Sequence, residues 1–123
     1  GGDKVTITRD AFGDGLVKLL ADYQQGLLDR ARAFRDEHVR DVSSRAEFEA
    51  FFTPANAEKP EIHGGFVRAP WCGEGDCEVQ VKEAHKVTIR CIPLDAPAHA
   101  GTCVWCGKAS KADLPKVVWA KSY

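Results

Sequence analysis

The chain has 123 residues, 44% hydrophobic and 28% charged, the make-up of a folded globular domain able to bury somewhat under about 70% of its unfolded surface. Its 17 Lys and Arg against 18 Asp and Glu leave a formal charge of −1, which excludes a binder that draws nucleic acid by overall positive charge; any RNA contact must rest on a local patch. No apolar run approaches the roughly 20 residues of a membrane span, and no apolar stretch follows Gly1-Gly2-Asp3-Lys4 as a secretory signal requires.

In chain order, Lys4 to Thr8 alternates Val5 and Ile7 with polar neighbours, the pattern of a half-buried strand. Phe12, Leu16, Leu19, Leu20, Tyr23, Leu27, Ala31 and Phe34 then recur every three or four residues and predict a long amphipathic helix. Thr8 and Asp10 are both suited to cap it. Gly13, Gly15 and Gly26 lie inside it at a cost of up to about 1 kcal/mol each, so its first turns are expected to be irregular. A second helix, Arg45 to Phe52, has Ser43 or Ser44 as cap and Glu47 in its first turn, and Pro54 stops it.

A polar loop through Asn56 and Lys59 follows, then an extended segment from Glu61 to Ala69 interrupted by Gly64 and Gly65. Glu78 to His85 suits a short helix. Val87 to Ile92 is a β-branched strand stopped by Pro93, and Val117 to Tyr123 a last strand. The order is strand, helix, helix, strand, helix, strand, strand. That predicts an α+β fold in one domain, 1–123: a two-layer α/β sandwich with helices on one face of a mixed sheet.

Two cysteine pairs carry the chemistry. Cys72 and Cys77 form C-x4-C in Trp71-Cys72-Gly73-Glu74-Gly75-Asp76-Cys77; Cys103 and Cys106 form C-x2-C-G, closed by Gly107. Two short loops, each offering two thiolates, can surround one tetrahedral zinc ion. Gly107, Gly73 and Gly75 supply the backbone freedom such loops need. Four thiolates leave no open coordination position, so the site is structural rather than catalytic. Cys91, mid-strand, reads as a small buried hydrophobe. His99, four residues before Cys103, is the alternative ligand; His38, His63 and His85 read as exposed or structurally satisfied. Five cysteines and no signal peptide favour a reducing interior over a disulfide framework.

Two other readings use the same residues. Trp71, Trp105 and Lys108 beside a metal would suit a stand-alone zinc-ribbon-like module that binds RNA or protein by stacking, though packing around the loops explains them as well. A thiol redox enzyme would need an accessible Cys103 and leaves Cys72 and Cys77 unused.

The runs Gly65-Phe66-Val67-Arg68-Ala69-Pro70-Trp71-Cys72-Gly73, Cys77-Glu78-Val79-Gln80-Val81-Lys82-Glu83 and Thr88-Ile89-Arg90-Cys91-Ile92-Pro93-Leu94, with Gly101 to Gly107 and the ending Val118-Trp119-Ala120-Lys121-Ser122-Tyr123, resemble the C-terminal domain of prolyl-tRNA synthetase. The type is the class II enzyme of archaea, eukaryotes and some bacteria. The resemblance covers nearly the whole chain, with Val81, His85 and Trp119 as departures. It implies zinc held by Cys72, Cys77, Cys103 and Cys106, and a fold like the C-terminal domain of a bacterial translation initiation factor. It also implies a Tyr123 whose terminal carboxylate reaches toward the parent active site. This segment carries no catalytic residues of its own: the class II motifs are absent from it. By the same resemblance the parent is a cytoplasmic homodimer. It joins proline to tRNA(Pro) with ATP and magnesium, through catalytic and anticodon-binding domains that precede this one.

Overall fold

The computed structural model describes residues 3, 4, 6–56, 58 and 64–122. Val5, Lys59, Glu61, His63 and Tyr123 therefore lie outside the described residues. The chain separates into two units, residues 1–37 and 38–123.

The first unit is dominated by helix α1, Arg9–Glu37. It runs unbroken through Gly13, Gly15 and Gly26, contrary to the expected irregular start. Glycine lowers helix propensity but leaves the hydrogen-bond ladder intact, and exposed i,i+4 pairs support it: Lys18 to Asp22 at 2.7 Å and Gln25 to Asp29 at 2.7 Å. The apolar stripe is present as the periodicity requires, yet none of the helix's residues is buried; Phe12, Leu19, Leu20, Tyr23 and Phe34 are all exposed. The strand expected over Lys4 to Thr8 is not formed: Lys4, Thr6, Ile7 and Thr8 are irregular. Alternation makes a segment able to pair, but a strand needs a neighbour for its backbone groups.

The second unit follows the order β1 (Val39–Asp41), α2 (Arg45–Phe52), β2 (Phe66–Ala69), α3 (Gly75–His85), β3 (Val87–Cys91) and β4 (Val117–Lys121). The sheet is mixed, in the order β1-β2-β4-β3: β1 is parallel to β2, and β4 is antiparallel to both β2 and β3. With α1 to α3 this is the expected α+β fold. β1 carries no sequence signal. Its three residues are strand only because β2 offers a partner, Val39 opposite Phe66 through Asp41 opposite Arg68.

Alternation assigns the sheet faces. Val67, Ala69, Val117, Trp119 and Val87 are buried in one cluster with Phe48 and Phe52 of α2 and Val81 of α3. Ser44 starts α2 with a full capping box: Glu47 donates its backbone N–H to Ser44 Oγ at 3.3 Å, and Glu47 Oε2 accepts from the Ser44 N–H at 3.3 Å. That start fixes the phase that turns Phe48 and Phe52 inward. Trp119, fully buried, meets Phe48 edge to face at 5.6 Å. Its indole N–H is buried with no hydrogen-bond partner among the described residues, a loss of about 1–3 kcal/mol. Burying a side chain of about 150–250 Å² at about 25 cal/mol/Å² outweighs that loss.

Cys91 is exposed, not buried as expected. β3 is an edge strand, and a register irregularity between Ile89 and Cys91 turns its last residues out of the alternation. α3 ends on Lys86 in the left-handed conformation, φ 58°, without a glycine to mark it in the sequence. The Lys86 carbonyl accepts from the Ser122 N–H at 2.6 Å and Ser122 Oγ at 3.1 Å, which ties the end of β4 to the α3–β3 turn.

All three tryptophans lie in the second unit, so tryptophan-selective fluorescence follows its unfolding alone. Phe48→Ala is expected to lower its stability by about 3–5 kcal/mol, read as a fall in urea midpoint at unchanged slope. Asp41 behaves differently. Partial burial raises its pKa, but hydrogen bonds from Lys116 and Arg68 outweigh this and hold it below the usual carboxylate value. A depressed carboxylate contributes stability above its unfolded pKa and loses it as pH falls through its folded one. The exposed cluster is screened, so Asp41→Asn should cost no more than about 1 kcal/mol near about pH 6 and nothing near about pH 2. Urea midpoints of both proteins at the two pH values check this.

Candidate metal centre

Antiparallel pairing of β2 with β4 places Ala69 opposite Val117. The chain therefore leaves β2 into the Cys72 loop at the end of the sheet where the Cys103 loop returns into β4. The Val104 N–H donates to the Pro70 carbonyl at 3.1 Å and joins the loops directly. Gly73, φ +86°, bends the first loop, and Gly107, φ +73°, bends the second; Gly75 opens α3 instead, and Cys77 falls in its first turn. The second loop is a small hairpin. Cys103 N–H donates to the Lys108 carbonyl at 2.7 Å and Gly107 N–H to the Cys103 carbonyl at 3.1 Å, while Thr102 pairs with Ala109. Ser110 Oγ braces its base, accepting from the Gly101 N–H at 2.9 Å.

The sulfurs of Cys72, Cys77, Cys103 and Cys106 all lie within 4.8 Å of one another, and Cys77 Sγ and Cys103 Sγ are 3.7 Å apart. Four sulfurs at about 2.3 Å from one tetrahedral ion would stand about 3.8 Å apart. That separation is also too long for a disulfide, and all of these cysteines are free. Cys72, Cys77 and Cys103 are buried; Cys106 lies at the exposed rim.

The electrostatics fit a cation. Burial pushes the Cys77 thiol up, and the neighbouring Cys103 pushes it further. Burial also raises Cys72, with a partial offset from the Glu74 N–H. Burial would raise Cys103 too, but backbone N–H groups of Cys106, Trp105 and Cys72 outweigh it and hold this thiol below its ordinary value. A thiolate formed first on Cys103 thus opposes ionisation of its neighbours. A divalent ion at the common centre removes that conflict and lets all four ionise. An all-sulfur tetrahedral set suits zinc, or iron in its sulfur-ligated forms.

His99 is not in this cluster; its ring packs against Gly101, where an added Cβ would meet it at 3.0 Å. His85 is half-buried, with Nε2 3.8 Å from Glu49 Oε1, and His38 is half-buried as well. Trp105 is 7% exposed and Trp71 packs against the core, so neither ring is offered as a free stacking platform. Cys103 is only 3% exposed, unlike the accessible thiol that a redox enzyme needs. The residues that surround Trp105, namely Arg45, Gln80 and His85, carry no sequence signal; they come from helices distant in the chain.

Residues 57–123, just over half the chain, match the family model described as "Prolyl-tRNA synthetase, C-terminal". The chain belongs to the prolyl-tRNA synthetase C-terminal family. It is 41% identical to proline--tRNA ligase 2 of Anaeromyxobacter dehalogenans, over 98% of this chain and 24% of that protein. It is 38% identical to proline--tRNA ligase of Protochlamydia amoebophila, over 98% and 23%. Prolyl-tRNA synthetase from Cryptosporidium parvum, solved with L-proline and AMP, has the same fold at TM-score 0.77 and 23% identity, over 98% of this chain and 24% of that one. The chain thus spans about a quarter of the length of the synthetases it matches.

Replacing Cys77 or Cys103 by Ser should abolish uptake of one metal ion per chain, while Cys91→Ser should leave it intact; elemental analysis of the purified proteins checks this. Chelation should speed amide exchange in the two cysteine loops and leave most helical circular dichroism in place, because α1 lies in the other unit.

Proposed function

We propose that this chain is the zinc-stabilised C-terminal structural domain of a prolyl-tRNA synthetase, whose whole chain ligates proline to tRNA(Pro) using ATP. The convergence of four sulfurs at zinc-like spacing carries the reading. Cys72, Cys77, Cys103 and Cys106 would hold the ion. When bound, zinc supplies cross-linking and charge neutralisation and, with no free position, no Lewis-acid chemistry on a substrate. It ties the segment after β2 to the segment before β4 and so closes one end of the sheet. Binding free energy at such sites is on the order of 10 kcal/mol in small modules; the core around Trp119 leaves this unit less dependent on it.

The catalytic and anticodon-binding domains are the partners in this reading, and ATP and magnesium act only in them. The parent works in the cytoplasm, as a homodimer through its catalytic domain. Among the described residues no helix is long and apolar enough to cross a membrane. Two observations support membership in a larger chain. The segment is a quarter of the length of its relatives, and α1 carries an apolar stripe with no buried residue.

Tyr123, by the family resemblance, would bring its terminal carboxylate to the parent's active site. Ser122 is already anchored on the Lys86 carbonyl, so deleting Tyr123 alone separates reach from folding. In the full-length enzyme that deletion is expected to reduce proline-dependent ATP–pyrophosphate exchange by about ten-fold or more (about 1.4 kcal/mol), with an unchanged melting temperature. Exchange at the undeleted rate would refute the role of Tyr123.

A further inference from the structure

Trp105 lies between the two cysteines of the second loop and is clasped on three sides. Arg45, the first residue of α2, lays its guanidinium 3.8 Å from the ring centroid. His85, at the end of α3, meets the ring edge to face at 5.6 Å. Gln80 Oε1 accepts from the indole N–H at 3.3 Å. Arg45 is itself held by Glu49, Nε to Oε1 2.8 Å, one turn along α2, so the guanidinium is fixed over the ring. Trp105 itself follows Cys103 by two residues and directly precedes Cys106 in the second loop. A set of contacts therefore runs from α2, through one aromatic side chain, to the loop that carries Cys103 and Cys106.

The physical consequence concerns an ion with two positive charges among four thiolates, a centre of net negative charge. A stacked guanidinium gives up little hydration and binds the ring by its quadrupole. Here it also braces the residue that lies between the two cysteines of the second loop. Arg45 lies outside residues 57–123, the part matched by the family model, so this contact is contributed by the chain that precedes that domain.

We propose that Arg45 is a positioning residue for the metal: stacked on Trp105, it holds the Cys103–Cys106 loop closed and slows loss of the bound ion. The proposal rests on the zinc reading above. The guanidinium acts through the ring, so its effect disappears when the ring is removed. Outer-shell partners of this kind tune affinity without touching the ion.

The test uses the zinc-loaded 123-residue chain and measures zinc release into excess chromophoric chelator. Arg45→Ala and Arg45→Gln are expected to release zinc about five-fold faster than the parent chain, with Arg45→Lys restoring part of the difference. In a Trp105→Leu background, Arg45→Ala should produce no further acceleration. Arg45 is half exposed, with 53% of its side-chain surface in solvent, so its variants are expected to fold, as circular dichroism and tryptophan fluorescence will register. Release by Arg45→Ala and Arg45→Gln at the parent rate overturns the proposal, as does an equal acceleration with and without the Trp105 ring; if Trp105→Leu does not fold, the Ala, Gln and Lys series decides alone. A parent chain that takes up no zinc removes the metal reading itself, and this inference with it. Uptake with an unchanged release rate removes only the role of Arg45.

Discussion

The antiparallel pairing of β2 with β4 is the constraint on which the rest depends. Its register, Ala69 opposite Val117, brings two segments to one end of the sheet although the cysteine pairs they carry are separated by most of α3 and all of β3. Once the loops meet, the Pro70 carbonyl takes the Val104 N–H and the four sulfurs face one another. The candidate metal site is thus a product of sheet topology. The cysteines provide its chemistry, and the pairing provides its geometry.

That geometry treats the sulfurs unequally. Cys72, Cys77 and Cys103 are buried. Burial and the nearness of Cys103 disfavour negative charge on Cys77, while backbone N–H groups favour it on Cys103. A divalent cation would offset that difference and make the crowded thiols a cross-link between the two segments. The aromatic residue of the second cysteine loop is buried as well. Trp105 is packing material, wedged among α2, α3 and the loop, so the centre is tied into the core of its unit.

The two units of the chain obey different rules. Residues 38–123 have a dense apolar cluster around Trp119, Phe48 and Phe52. Helix α1 has the amphipathic pattern of a packed helix and no buried side chain. A stripe of Leu, Phe and Tyr on a helix is a packing surface by composition. The synthetases that the chain matches are about four times its length.

Local signals in the sequence were sufficient for α2, α3, β3 and β4. Ser44 with Glu47 is a capping box that works through neighbours three residues apart, and the run Val87 to Cys91 is β-branched; both depend on local chemistry and were legible. The two cysteine pairs were legible as a metal motif because ligand spacing is also local. Tertiary structure decided what depends on a distant partner. It withheld a strand from the described residues Lys4, Thr6, Ile7 and Thr8 and granted one to Val39–Asp41, since a strand exists only where another backbone pairs with it. It turned Cys91 outward, because that residue lies past an irregularity on an edge strand. It also set Arg45 on Trp105. No periodicity or spacing records that contact, which arises only when α2 and the second cysteine loop pack together.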